Sequence, residues 1–270
     1  MASDPLRHSW VFDSRGKPST LQEALVARTG LSRNHAKRLI DSRQVFVNGR
    51  RVWMCRHAVH PGDRIDYASD REGESTPFHP VILVDTPSYL IVDKPAGLES
   101  VGAQGLEPLL QKALHDDRLR VVHRLDRDTT GCLVVARHPE AFDALLPVFR
   151  ERRVLKIYQA IVRGSVAPAE QTLRTPLDGQ PAVTHVRVLD ANPQASHLRV
   201  KIDPGRTHQI RRHLLGIGHP LVGDAHYGTR DRMPEALRAV RRQMLHAAAI
   251  EFPMPGSDQK IRGEARLPPD

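Results

Sequence analysis

The sequence predicts an α+β protein in two parts. A small α/β domain is expected over residues 19–68. A larger domain, over 81–268, is expected to rest on a mixed, largely antiparallel β-sheet with flanking helices. Three observations lead there. Residues 69–80, SDREGESTPFHP, are polar and contain Pro, Gly and Ser, the composition of a linker. Ahead of them, two short helical patterns precede an alternating run around Asn48-Gly49, a strong hairpin signal. After them, short apolar and alternating runs recur between turn residues, with few helical patterns among them.

Each element has its own warrant. Residues 1–18 are polar without a clear period and read as a lead-in. Thr20-Leu21-Gln22-Glu23 is a capping-box pattern, and Leu21, Leu25 and Val26 mark the helical face that follows, as far as Gly30. Ser32 is placed to cap a second helix. Its apolar side is Ala36, Leu39 and Ile40, and its other side carries Arg33, Asn34, His35, Lys37 and Arg38. Gln44–Val47 and Arg51–Trp53 form the hairpin arms, and Arg64–Tyr67 a further strand after the turn Pro61-Gly62-Asp63.

In the larger part, Val81–Val84 and Tyr89–Val92 read as strands on either side of a turn. A helix is expected over Leu106–Leu114. The apolar run Cys132–Ala136 reads as a buried strand, fed by turn chemistry at Thr129–Gly131. In His138–Arg153, Phe142, Leu145, Leu146 and Phe149 fall at helical spacing, with Pro147 predicting a kink or an early end. Leu155–Gly164, His185–Leu189 and Leu198–Ile202 alternate like strands. Gly205 turns the chain into a helix whose buried face is Ile210, Leu214 and Ile217. Leu245–Ala247 and Ile250–Phe252 are expected to form a closing strand.

Composition narrows the function classes. Of 270 residues, 40% are hydrophobic but only 4% aromatic, so the core must be mostly aliphatic. Lys+Arg 40 against Asp+Glu 31 leaves +9, the footprint expected of a phosphate-backbone partner. Cys55 and Cys132 offer neither a disulfide framework nor a zinc pattern, which fits a reducing compartment. MASDPLRHSW lacks the apolar core of a signal peptide, and no run approaches the ~20 apolar residues of a membrane span. A cytoplasmic protein is expected. His208, His213, His219 and His226 invite a metal reading, but their spacing fits no standard site, so no metal is expected.

The chemistry concentrates at His123-Arg124-Leu125-Asp126-Arg127-Asp128-Thr129-Thr130-Gly131. Arg124 and Arg127 flank Asp126, with His123 as a third basic group. A carboxylate among cations stays ionised, which suits a nucleophile or an electrostatic stabiliser better than a proton donor. The plainer reading is a solvated charged turn.

This stretch resembles the HRLDxxTSG motif of the RluA-type pseudouridine synthases, which isomerise uridine in RNA, with Thr130 in place of the usual serine. Three more segments resemble that family in its order. They are Lys94-Pro95-Ala96-Gly97-Leu98 (KPAGL), Leu155–Gly164 (K-x-Y-x-A-x-V-x-G) and Gly205–Leu214 (GRTHQIRxHL). Glu99-Ser100-Val101-Gly102 departs from the family's apolar-His-Pro continuation. Residues 19–68 are similar to the S-four RNA-binding domain, most tellingly at Val45–Val52, VFVNGRRV.

The resemblance implies an isomerase that uses no cofactor and no metal and acts, as a monomer, on structured ribosomal or transfer RNA. It implies Asp126 as the essential carboxylate and Arg211 as its partner. Tyr158 would stack on the uracil and assist proton removal from C5. Arg124 would fill the gap left by the flipped base, and Ile210 would face the substrate. Arg33, Lys37 and Arg38 would contact phosphate; on residues alone, that helix face is equally a wet surface. Lys94 and its turn are read as structural, and Asp128 likewise. Two other functions are distinguishable. A noncatalytic RNA-binding or ribosome-assembly factor should have lost Asp126, Tyr158 or Arg211. A glycosidase-type hydrolase would need Asp126 and Asp128 to face each other across a sugar, which neighbours in one loop need not do.

Overall fold

Contacts divide the chain into two units, residues 1–77 and 78–270. The computed structural model describes residues 7–13, 19–31, 33–41, 44–68, 78–228 and 233–269. The expected linker lies outside these from 69 to 77, as does the Ser32 cap.

The first unit contains β1 (Arg7–Val11), β2 (Ser19–Thr20), α1 (Leu21–Thr29), α2 (Arg33–Asp41), β3 (Val45–Val47), β4 (Arg50–Val52), β5 (Ala58–Val59) and β6 (Arg64–Ala68). Thr20 caps α1. Its hydroxyl accepts from the Glu23 N–H, and the Glu23 carboxylate accepts from the Thr20 N–H at 3.1 Å, an arrangement typically worth about 1 kcal/mol. Asn48 at φ 50° and Gly49 at φ 75° give the hairpin turn its left-handed backbone, matching the twist of the strands they join. Leu21 and Leu25 of α1, Ala36 and Ile40 of α2, and Val45 and Ile65 of the sheet close one apolar core.

The four-stranded sheet has the order β1-β6-β3-β4. Its β1 corrects the expectation that residues 1–18 are only a lead-in. Arg7–Val11 pairs antiparallel with Arg64–Ala68, and Trp10 meets the Tyr67 ring edge-on at 5.7 Å. The partner strand is remote in sequence, so local periodicity did not disclose the pairing.

The second unit contains β7 (Val81–Asp85), β8 (Tyr89–Lys94), α3 (Leu106–Leu114), β9 (Arg120–Val121), β10 (Thr130–Ala136), α4 (Pro139–Arg150), β11 (Leu155–Arg163), β12 (Glu170–Leu173), β13 (Val183–Ala191), β14 (Ala195–Asp203), α5 (Gln209–Gly216), β15 (Leu245–Pro253) and β16 (Lys260–Glu264). Its strands run β12-β13-β14-β11-β15-β10-β8-β7, with β16 added on β15 and β9 on β10. The sheet is mixed and largely antiparallel. Its parallel pair is β10 with β15, joined at Thr130–His246 and Gly131–Ala247. Leu245–Pro253 is therefore central, not closing; Lys260–Glu264 is the last strand. No helix among the described residues is long and apolar enough to cross a membrane.

Every residue of β10 is buried because the sheet is covered on both faces there. On one face Leu133 and Val135 join Leu106 and Leu110 of α3 and Ile210 and Leu214 of α5. On the other, Cys132 and Val134 join Ala141, Leu145 and Val148 of α4. Each such aliphatic side chain contributes roughly 1.5–3 kcal/mol by leaving water. Gly131 is required where β10 meets β15: a Cβ there would stand 2.3 Å from the Ala247 carbonyl oxygen.

Two local expectations shift. The turn before β10 closes earlier than expected, by a Thr129 N–H bond to the Asp126 carbonyl at 3.0 Å. Thr130 and Gly131 already belong to the strand. α4 continues through Pro147 and ends within a turn, at Arg150, short of residue 153. Its buried residues are Ala141, Leu145 and Val148, while Phe142, Leu146 and Phe149 are half-buried.

Candidate active site

The loop before β10, the middle of β11 and the start of α5 converge on a cavity of about 1020 Å³ in the larger unit. Asp126, Tyr158, Arg211, Ile210 and Arg124 all line it. Ile210 is buried, and Arg124 is exposed at the rim. Arg33 and Lys37 lie in the other unit, both exposed, and Lys37 donates to the Asp41 carboxylate at 2.6 Å. The Arg38 side chain lies outside the described residues.

Arg211 sits on the first turn of α5 with its side chain only 8% exposed. Its Nη1 donates to Asp126 Oδ2 at 3.0 Å. Its Nε and Nη2 grip both oxygens of Asp224, at 2.7 and 2.8 Å, and its guanidinium lies 4.8 Å from the centre of the Tyr227 ring. Burial alone would raise the Asp224 pKa. The Arg211 hydrogen bonds and the N–H groups of Tyr227 and His226 outweigh it and hold the carboxyl below its ordinary range. Asp224 was not singled out in the sequence. The available signal was Arg211 itself, an always-charged group on a helix with a buried apolar face, which needs a counterion.

His208, just before α5, faces the other oxygen of Asp126: its Nε2 is 3.8 Å from Oδ1. Its Nδ1 shares a hydrogen bond with the Tyr227 hydroxyl at 3.0 Å. Burial lowers the His208 pKa, and the charge of Asp126 offsets this in part.

The Asp126 loop is held from several sides. Ser100 Oγ accepts from the Leu125 N–H at 2.9 Å and donates to the Leu125 carbonyl at 3.0 Å. Thr129 Oγ1 accepts from Gln243 at 2.6 Å, and Arg127 donates to the Gly97 carbonyl at 3.1 Å. Thr130, which stands where the resembling motif has serine, shares a 2.8 Å hydrogen bond with His246 Nδ1 across the parallel pair. Ser100 lies in the stretch that departs from the family pattern, so no motif pointed to it.

Lys94 is fully buried and donates to the carbonyls of Pro95 and Arg127, at 2.8 and 2.9 Å. Its partners are backbone oxygens, in keeping with the structural reading. Burial brings its pKa down to about 8 from 10.5, against the pull of Asp128 and Asp126. Between about pH 8 and 10.5 the unfolded chain keeps this proton and the folded chain releases it. The stability linked to Lys94 therefore rises with pH across that window and is lost as pH falls through 8. In urea titrations at a series of pH values, wild type is expected to gain on Lys94→Met as pH rises through the window. The gain should total a few kcal/mol, at a slope of about 1.4 kcal/mol per pH step of one. Parallel profiles would show that Lys94 titrates alike in both states.

His123 is not the cation expected. Its Nε2 accepts from the Val134 N–H at 3.1 Å, and its ring stacks on Phe149, centroids 5.2 Å apart. Burial, with Lys156 nearby, drives its pKa to about 3, so it is a neutral acceptor that ties the loop to β10. The other histidines are also engaged. His213 bonds Thr184 Oγ1 and the Thr175 carbonyl, each at 2.8 Å, and His219 bonds the Arg163 carbonyl at 2.8 Å. No group of three or more His, Cys, Asp or Glu among the described residues is placed to hold a metal.

Tyr158 packs its ring into the core on β11 while lining the cavity. Its hydroxyl bonds no other described residue and is not a buried unpartnered atom, since Tyr158 lines the cavity. Burial first, and the charge of Asp126 second, push the phenol well above the ordinary tyrosine range. It is neutral at physiological pH.

A pinned carboxylate and a tyrosine, lining one open cavity, define an enzyme's pocket. Residues 88–215 match the RNA pseudouridylate synthase family, and residues 20–65 match the S4 domain. The chain is 35% identical to ribosomal large subunit pseudouridine synthase D of Pseudomonas aeruginosa, over 88% of this chain and 85% of that one. It is 31% identical to ribosomal large subunit pseudouridine synthase C of Salmonella typhimurium, over 88% and 86%. Its fold is similar to that of human RNA pseudouridylate synthase domain containing 1, with a TM-score of 0.61 and 26% identity, covering 72% of this chain and 86% of that one. The chain belongs to the RNA pseudouridylate synthase family and is an isomerase acting on RNA.

Proposed function

We propose that the protein converts uridine to pseudouridine in large-subunit ribosomal RNA, with Asp126 as the carboxylate on which the reaction begins. The observation that carries this reading is the position of Asp126. Arg211 bonds one of its oxygens, the other lies 3.8 Å from His208 Nε2, and Asp126 and Tyr158 line the same cavity. The names of the relatives support ribosomal RNA over transfer RNA.

The reaction breaks the C1′–N1 bond, turns the uracil and joins C1′ to C5. The target nucleotide must first leave its stack. In this reading Arg124 at the rim takes the vacated place in the RNA, and Ile210 and the Tyr158 ring pack on the base. Arg211 holds Asp126 in orientation. Tyr158 begins as a neutral phenol. Once the Asp126 carboxylate loses its charge in bonding to the substrate, the second of the causes that raise the Tyr158 pKa, after burial, disappears. Ionisation of the phenol is then easier: it gives its own proton to solvent in the open cavity and, as phenolate, takes the proton that leaves C5.

Mapping pseudouridine in purified large-subunit RNA and transfer RNA after incubation with the protein tests the function. A mass-neutral conversion in the former is expected. Modification of transfer RNA alone would move the substrate, and release of uracil would replace the isomerase with a hydrolase. Tyr158→Phe keeps the ring and its stacking surface and removes the hydroxyl. Its single-turnover rate is expected to fall by about 10²–10⁴-fold, the range of general acid–base catalysis, with RNA affinity little changed. A wild-type rate would leave Tyr158 as packing alone.

A further inference from the structure

The two oxygens of Asp126 are met by different groups, and one residue stands behind both. Arg211 bonds Oδ2. On the other side, His208 Nε2 stands 3.8 Å from Oδ1, about 1 Å beyond a hydrogen bond. Behind the imidazole, Nδ1 shares a 3.0 Å hydrogen bond with the Tyr227 hydroxyl. The Tyr227 ring also lies under the Arg211 guanidinium, and its N–H goes to Asp224, the carboxylate that grips Arg211. His208 itself has a left-handed backbone, φ 52° and ψ 28°. Glycine adopts that conformation without steric cost, so a side chain kept there argues for a use of the side chain.

We propose that His208 is a positioning residue for the Asp126 carboxylate: the Tyr227 hydroxyl donates to Nδ1, which leaves the imidazole proton on Nε2 and aims it at Oδ1. The proposal rests on the reading of Asp126 as the carboxylate on which the reaction begins. The tautomer follows from the two partners. A neutral imidazole has one N–H and one acceptor nitrogen. A carboxylate oxygen only accepts, whereas a tyrosine hydroxyl does either, so the arrangement that serves both neighbours has the proton on Nε2. Burial lowers the His208 pKa; Asp126 and Asp224 oppose this, Arg211 and His226 add to it, and the ring is neutral at physiological pH. Catalytic hydrogen bonds are often long in a free enzyme and tighten when substrate fills the site. RNA in the cavity closes the gap here. Oδ1 has two lone pairs, so it accepts from His208 with one and keeps the other for the substrate. With Arg211 on Oδ2 and His208 on Oδ1, the carboxylate is fixed in rotation as well as in place.

Two substitutions separate the ring's two bonds. In His208→Asn the amide stands where Nδ1 is, keeps the Tyr227 hydroxyl and suits a left-handed backbone, but nothing reaches Asp126. In His208→Gln the amide nitrogen extends to the place of Nε2. Single-turnover pseudouridine formation at saturating large-subunit ribosomal RNA is expected to fall by about 10- to 100-fold in His208→Asn, the cost of misplacing a reacting group by about 1 Å. RNA affinity and melting temperature should stay close to wild type. His208→Gln should recover most of the rate. Tyr227→Phe, which keeps the ring under Arg211, should lower the rate of wild type and lower that of His208→Asn no further. Nitrogen-15 spectra of the full-length protein read the tautomer without any turnover. The imidazole signals that vanish in His208→Asn are expected to show a protonated Nε2 and a bare Nδ1 at neutral pH, and Tyr227→Phe should mix the two tautomers.

A wild-type rate in His208→Asn would overturn the proposal, as would a protonated Nδ1 in the wild-type protein. Equal losses of rate in the Asn and Gln variants, with lowered melting temperatures, would overturn it in favour of packing alone. The enzymatic reading fails separately. Wild-type protein that forms no pseudouridine would defeat that reading, while the tautomer and its dependence on Tyr227 would still be decided by the spectra. Pseudouridine formed at one rate by wild type and His208→Asn would do the reverse.

Discussion

Asp126→Asn is expected to abolish isomerisation, lowering the single-turnover rate at saturating RNA by at least about 10³-fold, equivalent to ~4 kcal/mol of barrier. The amide has almost the carboxylate's shape, so the loop held by Ser100, Lys94 and Gln243 keeps its course. What changes is charge. A carboxylamide neither attacks carbon usefully nor takes a proton, so any route that starts from Asp126 stops. The amide oxygen can still accept from Arg211 Nη1. The pocket should therefore stay ordered and RNA affinity should stay within a few-fold. Filter binding and pseudouridine formation on one RNA would separate the two effects. Substantial residual turnover would remove Asp126 from the chemistry.

Asp126, Tyr158 and Arg211 stood out in the sequence because each lies in a local run that resembles a family motif; residue types alone read equally as a charged turn and a core tyrosine, and the structure sets all three on one cavity. What the sequence hid depends on contacts remote along the chain. His123 was read as a cation because it is a basic group three residues before Asp126. It is neutral because α4 folds back and sets Phe149 against it. In α4, apolar spacing marked Leu146 and Phe149 as readily as Leu145. The structure turns Leu145 into the core and leaves Leu146 and Phe149 lining the cavity. Periodicity reports apolarity and not what an apolar face is turned toward. The turn after Asp126 was placed too late because Thr130 and Gly131 are drawn into the sheet by His246 and Ala247. β1 escaped notice for the same reason, its partner being β6.

Asp224 is the group of largest consequence to which the sequence gave no role, and its removal should be felt first in stability. Asp224→Ala deletes a fully buried carboxylate that bonds Arg211 twice and the N–H groups of His226 and Tyr227. Breaking such a pair by removing one partner costs roughly 3–5 kcal/mol, because the remaining charge stays buried. The low end is expected here, since Asp126 retains one contact with Arg211. For a unit of this size the melting temperature should fall by about 6–12 °C. Activity should fall as well, because Arg211 loses the two bonds that aim it at Asp126. Arg211→Met combined with Asp224→Ala should regain stability, having no orphaned charge, while remaining inactive. That recovery separates an electrostatic role from simple packing. The pH dependence has a fixed sign. The Asp224 pKa is depressed in the folded state, so its contribution is complete above the unfolded value, near 4, and is lost as pH falls through the folded value. The stability gap between wild type and Asp224→Ala should be level from about pH 5 to 7 and should narrow below about pH 4. Urea midpoints for both proteins at pH 7 and pH 3 would measure it. A gap that stayed constant to pH 3 would mean that Asp224 acts through shape and not through its charge.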